Sequence, residues 1–198
     1  MTDESNPWTV LRSETKYDNA WISVVENAVL TPAGTPGIYG VVHLKTIATG
    51  VIPIDAQGNT VLVGQYRFPL GRYSWEIPEG GAAFAEGPLA GAQRELSEEA
   101  GLEAAHWQEL ARIDTTNCVT DESGAVYVAW GLSETAAHPD DDEQLTLRRL
   151  PYADALAMAM DGRITDAISL IGLMKLELLR GTGQLPDELA ALLDSQPS

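Results

Sequence analysis

Hydrophobicity alternates along residues 21–25, and residues 38–42 begin another extended run, with TPAGTPG at 31–37 supplying turn chemistry between them. Residues 9–42 therefore read as short strands, a small N-terminal β unit too short to be stable alone. Two further strand patterns, 49–54 and 60–67, are joined by Asp55-Ala56-Gln57-Gly58-Asn59, the chemistry of a hairpin-like loop. Trp75-Glu76-Ile77 then leads into a segment with a different period. From Pro88 onward, Leu89, Ala92, Leu96 and Ala100 recur at three- and four-residue spacing, the stripe of a helix facing a core. Gly87-Pro88 starts that helix, with proline where a missing N–H costs nothing. Gly101 stops it, suited to a left-handed cap.

Beyond the helix, residues 106–113 and 125–132 read as strands flanking the loop 114–124. The acidic segment 138–143 precedes a further strand at 145–150. Helical patterns follow at 152–160 and 165–180, separated by Asp161-Gly162, and a short amphipathic turn at 187–193. Mixed strands with one acidic helix and C-terminal helices predict an α/β layered domain. We place it at residues 47–198, after the β unit at 1–46.

Composition narrows the possibilities. The chain has 198 residues, 44% of them hydrophobic, enough for a well-buried core. No apolar run approaches the ~20 residues of a membrane span. The start, MTDESNPW, lacks the basic and apolar stretches of a signal peptide, and a single cysteine, Cys118, excludes an intramolecular disulfide. Both features suit a reducing cytoplasm. A net charge of −17 argues against nonspecific nucleic-acid binding and against attraction to anionic membranes. The same charge repels any anionic small molecule, so divalent ions and a few placed arginines must supply attraction locally.

The chemistry concentrates in residues 80–102, GGAAFAEGPLAGAQRELSEEAGL. Glu86, Glu95, Glu98 and Glu99 share this loop and helix with Arg94, a cluster costly in repulsion unless a cation sits among the acids. Glu95, Glu98 and Glu99 occupy one helix face, because residues three and four apart are surface neighbours. Glu95 and Glu99 stand about 6 Å apart along the axis, close enough for two side chains to reach one ion. Oxygen ligands with no Cys or His nearby favour Mg²⁺ or Mn²⁺ over Zn²⁺. Arg94 is placed to hold a carboxylate such as Glu86 in a charge-assisted fork. Gly91, inside the helix, costs roughly 1 kcal/mol relative to alanine and points to close backbone packing.

The spacing Gly80, five residues, Glu86, seven residues, then Arg94-Glu95-Leu96-Ser97-Glu98-Glu99-Ala100-Gly101-Leu102 resembles the Nudix box, and every defined position is filled. At typical residue frequencies such a match arises by chance in on the order of 10⁻⁹ to 10⁻¹⁰ of windows, so the resemblance carries weight. Outside the box, Gly64-Gln65-Tyr66-Arg67, Trp75-Glu76-Ile77-Pro78-Glu79-Gly80 and Gly162-Arg163-Ile164-Thr165-Asp166-Ala167 are similar to the ADP-ribose and nucleoside-diphosphate-sugar pyrophosphatase branch, over residues 17–175.

The resemblance implies an α/β/α sandwich with a mixed sheet and a three-stranded antiparallel N-terminal unit exchanged across a homodimer. It implies hydrolysis of a nucleotide-sugar pyrophosphate with Mg²⁺, or Mn²⁺ in its place. By position, Glu95 and Glu99 look like metal ligands, Glu98 shares a second ion, and the carbonyl of Glu79 supplies another ligand. Arg67 matches an arginine that grips a substrate phosphate, with a strand-edge surface charge as the alternative. Glu76 and Trp21 join it as substrate-binding candidates. Trp21 or Tyr39 stacks on a base, or both are core residues. Glu98 and Arg94 belong to the catalytic group. The acid that positions or deprotonates water looks like Glu143, with Asp141 second and Glu122 on the earlier loop as competitor. Asn117 resembles the sugar-nucleotide relatives. Other nucleotides such as dinucleoside polyphosphates, and a non-catalytic nucleotide-sugar sensor, are the competing functions.

Overall fold

The computed structural model describes residues 4–136 and 144–195. They divide into two compact units, one of Met1–Thr46 with Asp114–Glu122, the other of Ile47–Ile113 with Ser123–Ser198.

The first unit holds three antiparallel strands, β1 (Thr9–Asp18), β2 (Ile22–Leu30) and β3 (Pro36–Leu44), in the order β1-β2-β3. Asn19 turns β1 into β2 by accepting the amides of Trp21 and Ile22 on Oδ1, both at 2.8 Å. The second turn closes with Gly34 N–H on Thr31 O at 2.8 Å, and Gly34 takes a φ of 78° that disfavours other residues. The segment Asp114–Glu122 lies against β3. Val42 N–H donates to Val119 O, the Tyr39 hydroxyl to Cys118 O, and Leu44 N–H to Asp121 Oδ1. Burial tends to raise the Asp121 carboxyl, but bonds from His43 and the Leu44 amide outweigh it and hold the group below its ordinary range. Among the described buried hydrophobics, only Val29 belongs to this unit. Trp21 is 72% exposed, which removes the core reading for that residue.

The second unit is built on two sheets. β7 (Glu79–Ala83), β4 (Thr46–Ile54), β9 (Ser123–Glu134) and β8 (Leu102–Asp114) form one, in that order. β4 and β9 run parallel, from Ala48 opposite Gly124 to Ile54 opposite Trp130. β10 (Thr146–Pro151), β5 (Asn59–Arg67) and β6 (Arg72–Glu76) form the other, antiparallel throughout, with a short 3-10 turn at Phe68–Leu70 between β5 and β6. The hairpin expected at residues 54–60 is corrected here: the loop turns tightly, Asp55 N–H to Asn59 O at 2.9 Å, yet β4 and β5 enter different sheets. Both strands are buried on both faces, so each serves as an interior strand of its own sheet rather than pairing with its sequence neighbour.

Strand alternation sorts the core into two layers. Val51, Val61, Ala125, Tyr127 and Ala129 pack with Ala92 and Leu96 of helix α1 (Pro88–Ala100). Ile52, Ile54, Leu62, Val126 and Val128 pack on the other side with α2 (Tyr152–Met160), α3 (Ala167–Gly181) and α4 (Asp187–Asp194). The result is the expected α/β/α sandwich with a mixed sheet. Leu89 departs from the predicted stripe: it is 40% exposed and lines a surface cavity of about 550 Å³ with Trp107 and Tyr127. No helix among the described residues is long and apolar enough to cross a membrane.

Gly91 seats α1 against β7. A Cβ there would lie 2.4 Å from Ala82 Cβ and 3.1 Å from Ala82 Cα, with no flexible side-chain end to move aside. Overpacking of this kind costs about 1–3 kcal/mol, against roughly 1 kcal/mol gained in helix propensity. Gly91→Ala is therefore expected to lower the melting temperature by up to about 8 °C, at roughly 2–4 °C per kcal/mol for a chain of this size. A rise in melting temperature by calorimetry would show that α1 has room to shift.

Candidate active site

Helix α1 begins at Pro88 after Gly87, whose φ is 81°, and ends on Gly101 in the left-handed region at φ 63°. Those ends fix its rotation, and the buried face carries Glu95 (9% exposed) and Glu99 (3% exposed) beside Ala92 and Leu96. Buried carboxylates need partners. Glu99 Oε2 accepts the Glu79 amide at 2.9 Å, tying the helix to the first residue of β7. The Glu95 carboxylate lies over Gly80, where an added Cβ would come within 2.2–2.7 Å of its carboxyl atoms.

Arg94 gathers the remaining acids. Its Nε donates to Glu86 Oε1 at 3.2 Å and its Nη1 to Glu98 Oε2 at 2.6 Å, with Glu95 Oε1 at 2.9 Å from the same nitrogen. Nη2 donates to the Gly81 carbonyl at 2.9 Å. One guanidinium thus serves Glu86, Glu95, Glu98 and the β7 backbone. Charge-assisted contacts of this density hold the acids together despite their repulsion.

Arg67, at the end of β5, is engaged by acids rather than solvated. Its Nε and Nη2 donate to Glu76 Oε2 at 2.9 and 2.6 Å, and Nη2 reaches Glu79 Oε1 at 3.1 Å. A freely solvated strand-edge charge is thereby excluded. Glu76, 3% exposed, is the buried anchor of this arrangement. Burial opposes the Arg67 charge, but the hydrogen bond and charge of Glu76 more than restore it. Burial, then the charges of Asp166 and Glu76, pushes the Glu79 carboxyl well above the usual carboxylate range, against the pull of Arg67.

Asp166 carries no site signal of its own in the sequence, although it lies in the anchor at 162–167. It caps α3, its Oδ2 accepting Ser169 N–H at 2.7 Å, and the cap brings it to Glu76 and Glu79. The Asp-x-x-Ser spacing before an apolar run is a cap signal legible in sequence, but its neighbours are not.

The other candidates belong to the first unit or fall outside the described residues. Glu143, Asp141 and their acidic neighbours fall in 137–143, outside the described residues. Glu122 belongs to the first unit, where its carboxylate accepts the Thr115 hydroxyl. Trp21 and Tyr39 belong to that unit too, with Tyr39 half-buried edge-on to Trp8 at 5.2 Å.

Carboxylate oxygens supply the charged donors throughout, and the buried Glu79 Oε2 has no hydrogen-bond partner. Both observations fit a hard divalent cation. An acidic helix on an α/β/α sandwich, with its carboxylates held by one arginine and by strand backbone, defines a class of phosphate-handling hydrolases.

Comparison with known proteins agrees. The NUDIX domain matches residues 44–168, and the nucleoside diphosphate sugar hydrolase N-terminal domain matches residues 8–42. The chain belongs to the Nudix family and is a Nudix pyrophosphohydrolase. It is 34% identical over 172 residues to an ADP-ribose pyrophosphatase of Mycobacterium tuberculosis, spanning 83% of this chain and 80% of the relative. It is 38% identical over 133 residues to a methanol dehydrogenase activator of Bacillus methanolicus, spanning 66% of this chain and 72% of the relative. Among solved structures, a crystal structure of an ADP compounds hydrolase superposes with a TM-score of 0.81 at 22% identity, covering 93% of this chain and all of that one. At that identity the likeness concerns the fold.

Proposed function

We propose that the protein hydrolyses the pyrophosphate bond of a nucleoside diphosphate sugar of the ADP-ribose, ADP-glucose or GDP-mannose type, giving a nucleoside monophosphate and a sugar phosphate. The observation that carries this reading is the juxtaposition, within one unit, of the box carboxylates on α1 with Arg67 through Glu79, whose amide donates to Glu99 and whose carboxylate accepts from Arg67. The ADP-ribose pyrophosphatase relatives and the matched N-terminal domain support the substrate class.

Glu95, Glu98, Glu99 and the Glu79 carbonyl would hold Mg²⁺, or Mn²⁺ in its place, which when bound neutralises pyrophosphate charge and lowers the pKa of water. Arg94 orients Glu98 and Glu95 for that role. Arg67 adds fixed positive charge at the phosphates, steered by Glu76. A carboxylate of the acidic stretch 138–143, Glu143 in our assignment, orients the attacking water and takes its proton. Trp21 offers an exposed ring for base stacking. Glu143→Gln should lower kcat while barely changing KM, the pattern of an interaction made in the transition state. An unchanged kcat in that variant, with a crippled Glu122→Gln, would move the base to the earlier loop.

The first unit supports a homodimer. Val10, Leu11, Tyr17, Trp21 and Ile38 are all more than half exposed on a three-stranded sheet with almost no core of its own. Apolar area of that extent is stabilised by a second copy. Light scattering at micromolar protein is expected to give twice the chain mass, and a monomer would refute the exchange of this unit.

The activator relative favours a second reading, a nucleotide-sugar sensor that regulates a partner. A hydrolysis panel across bases and sugars, with products identified and a chelator control, decides between them. Turnover of nucleotide sugars to monophosphate and sugar phosphate supports the enzyme. Tight binding without turnover supports the sensor.

A further inference from the structure

Glu76, Glu79 and Asp166 converge from three elements: the end of β6, the start of β7 and the cap of α3. One carboxylate oxygen from each lies within 4.8 Å of the others. Two cationic features face them, the Arg67 guanidinium and the N-terminus of α3, the latter equivalent to roughly half an elementary charge. Arg67 is spent on both oxygens of Glu76 and on Oε1 of Glu79. Oε2 of Glu79 remains buried and without a hydrogen-bond partner, on a side chain only 10% exposed. An unpartnered carboxylate oxygen removed from water is unfavourable. Its neighbours Asp166 and Glu76 make it more so.

The geometry points to a divalent-cation site at Glu76, Glu79 and Asp166, additional to the carboxylates of the box helix and suited to Mg²⁺ or Mn²⁺. With all three ionised, as a bound cation would require, three carboxylates against one guanidinium and the partial charge of the helix end leave a net negative charge of more than one, which a divalent ion balances better than a monovalent one. The ligands are all oxygen, the preference of hard cations. Opposite ligands of such an ion stand about 4.2 Å apart at ~2.1 Å per bond, so small side-chain rotations close the group on it. An ion there also competes with Arg67 for Glu76 and Glu79, releasing the guanidinium toward an anionic ligand.

The test counts bound Mn²⁺ on the full chain, from the free-ion signal in electron paramagnetic resonance, and does not read hydrolysis. Its result therefore stands apart from the substrate assignment. Glu95→Gln with Glu99→Gln first disables the box. That double variant is expected to retain one Mn²⁺ per chain, displaceable by Mg²⁺. Adding Glu79→Gln, which leaves the Glu79 carbonyl in place, should weaken this binding at least tenfold. Adding Asp166→Asn instead should do the same, since asparagine still caps a helix. Thermal melts of each variant separate loss of the site from loss of the fold, and Glu79→Gln alone decides if Asp166→Asn unfolds. A double variant that binds no Mn²⁺, or binding untouched by the added substitution, overturns the site and leaves a shared proton as its occupant.

Discussion

Glu99→Gln is expected to lower kcat roughly 10³-fold or more at saturating Mg²⁺, equivalent to ~4 kcal/mol of barrier. Glu99 is 3% exposed and accepts the Glu79 amide on Oε2. The amide oxygen of glutamine still accepts that bond, so β7 and α1 stay joined and the fold should survive. What is lost is a negative charge at a buried position, which the proposed reaction uses to hold a cation against the pyrophosphate. Steady-state kinetics beside a melting curve separates the two effects. A loss under tenfold with an intact fold would mean that the buried carboxylate does not serve catalysis.

Gly80→Ala is expected to lower kcat about 10²-fold while leaving the melting temperature nearly unchanged. The three atoms nearest the new Cβ all belong to the Glu95 carboxyl group, at 2.2–2.7 Å. That group is the far end of a flexible side chain and can swing away, so the fold loses little. Its displacement by an ångström or more is the kind of misplacement that costs about two orders of magnitude in rate. Gly91→Ala offers the contrast, because there the obstruction is Ala82 itself. A Gly80→Ala protein with full activity would show that Glu95 has no fixed position to lose.

The parts of the fold set by local chemistry were legible in the sequence. Gly87-Pro88 and Gly101 bound α1, and the periodic pattern at 152–160 matches α2. Long-range pairing was not legible. Residues 54–60 have hairpin chemistry, yet β4 and β5 separate into different sheets because each needs two buried faces. The strand β7 escaped notice, since Glu79-Gly80-Gly81-Ala82-Ala83 is rich in glycine and alanine and carries no alternation. The acids of α1 announced themselves by spacing. Asp166 did not, because its proximity to Glu79 arises only when α3 docks, across a separation no periodicity spans.

The short segment between β8 and β9 has a genetic consequence. Residues Asp114–Glu122 cluster with Met1–Thr46, bonded to β3 through Val119, Cys118 and Asp121, so the first unit is not a contiguous piece of the chain. The backbone passes between the units after residues 46, 113 and 122 rather than once. A chimera that grafts a foreign N-terminal unit onto this α/β domain must therefore carry the matching nine-residue loop with it. Recombination at a single boundary would leave β3 facing a loop written for another partner.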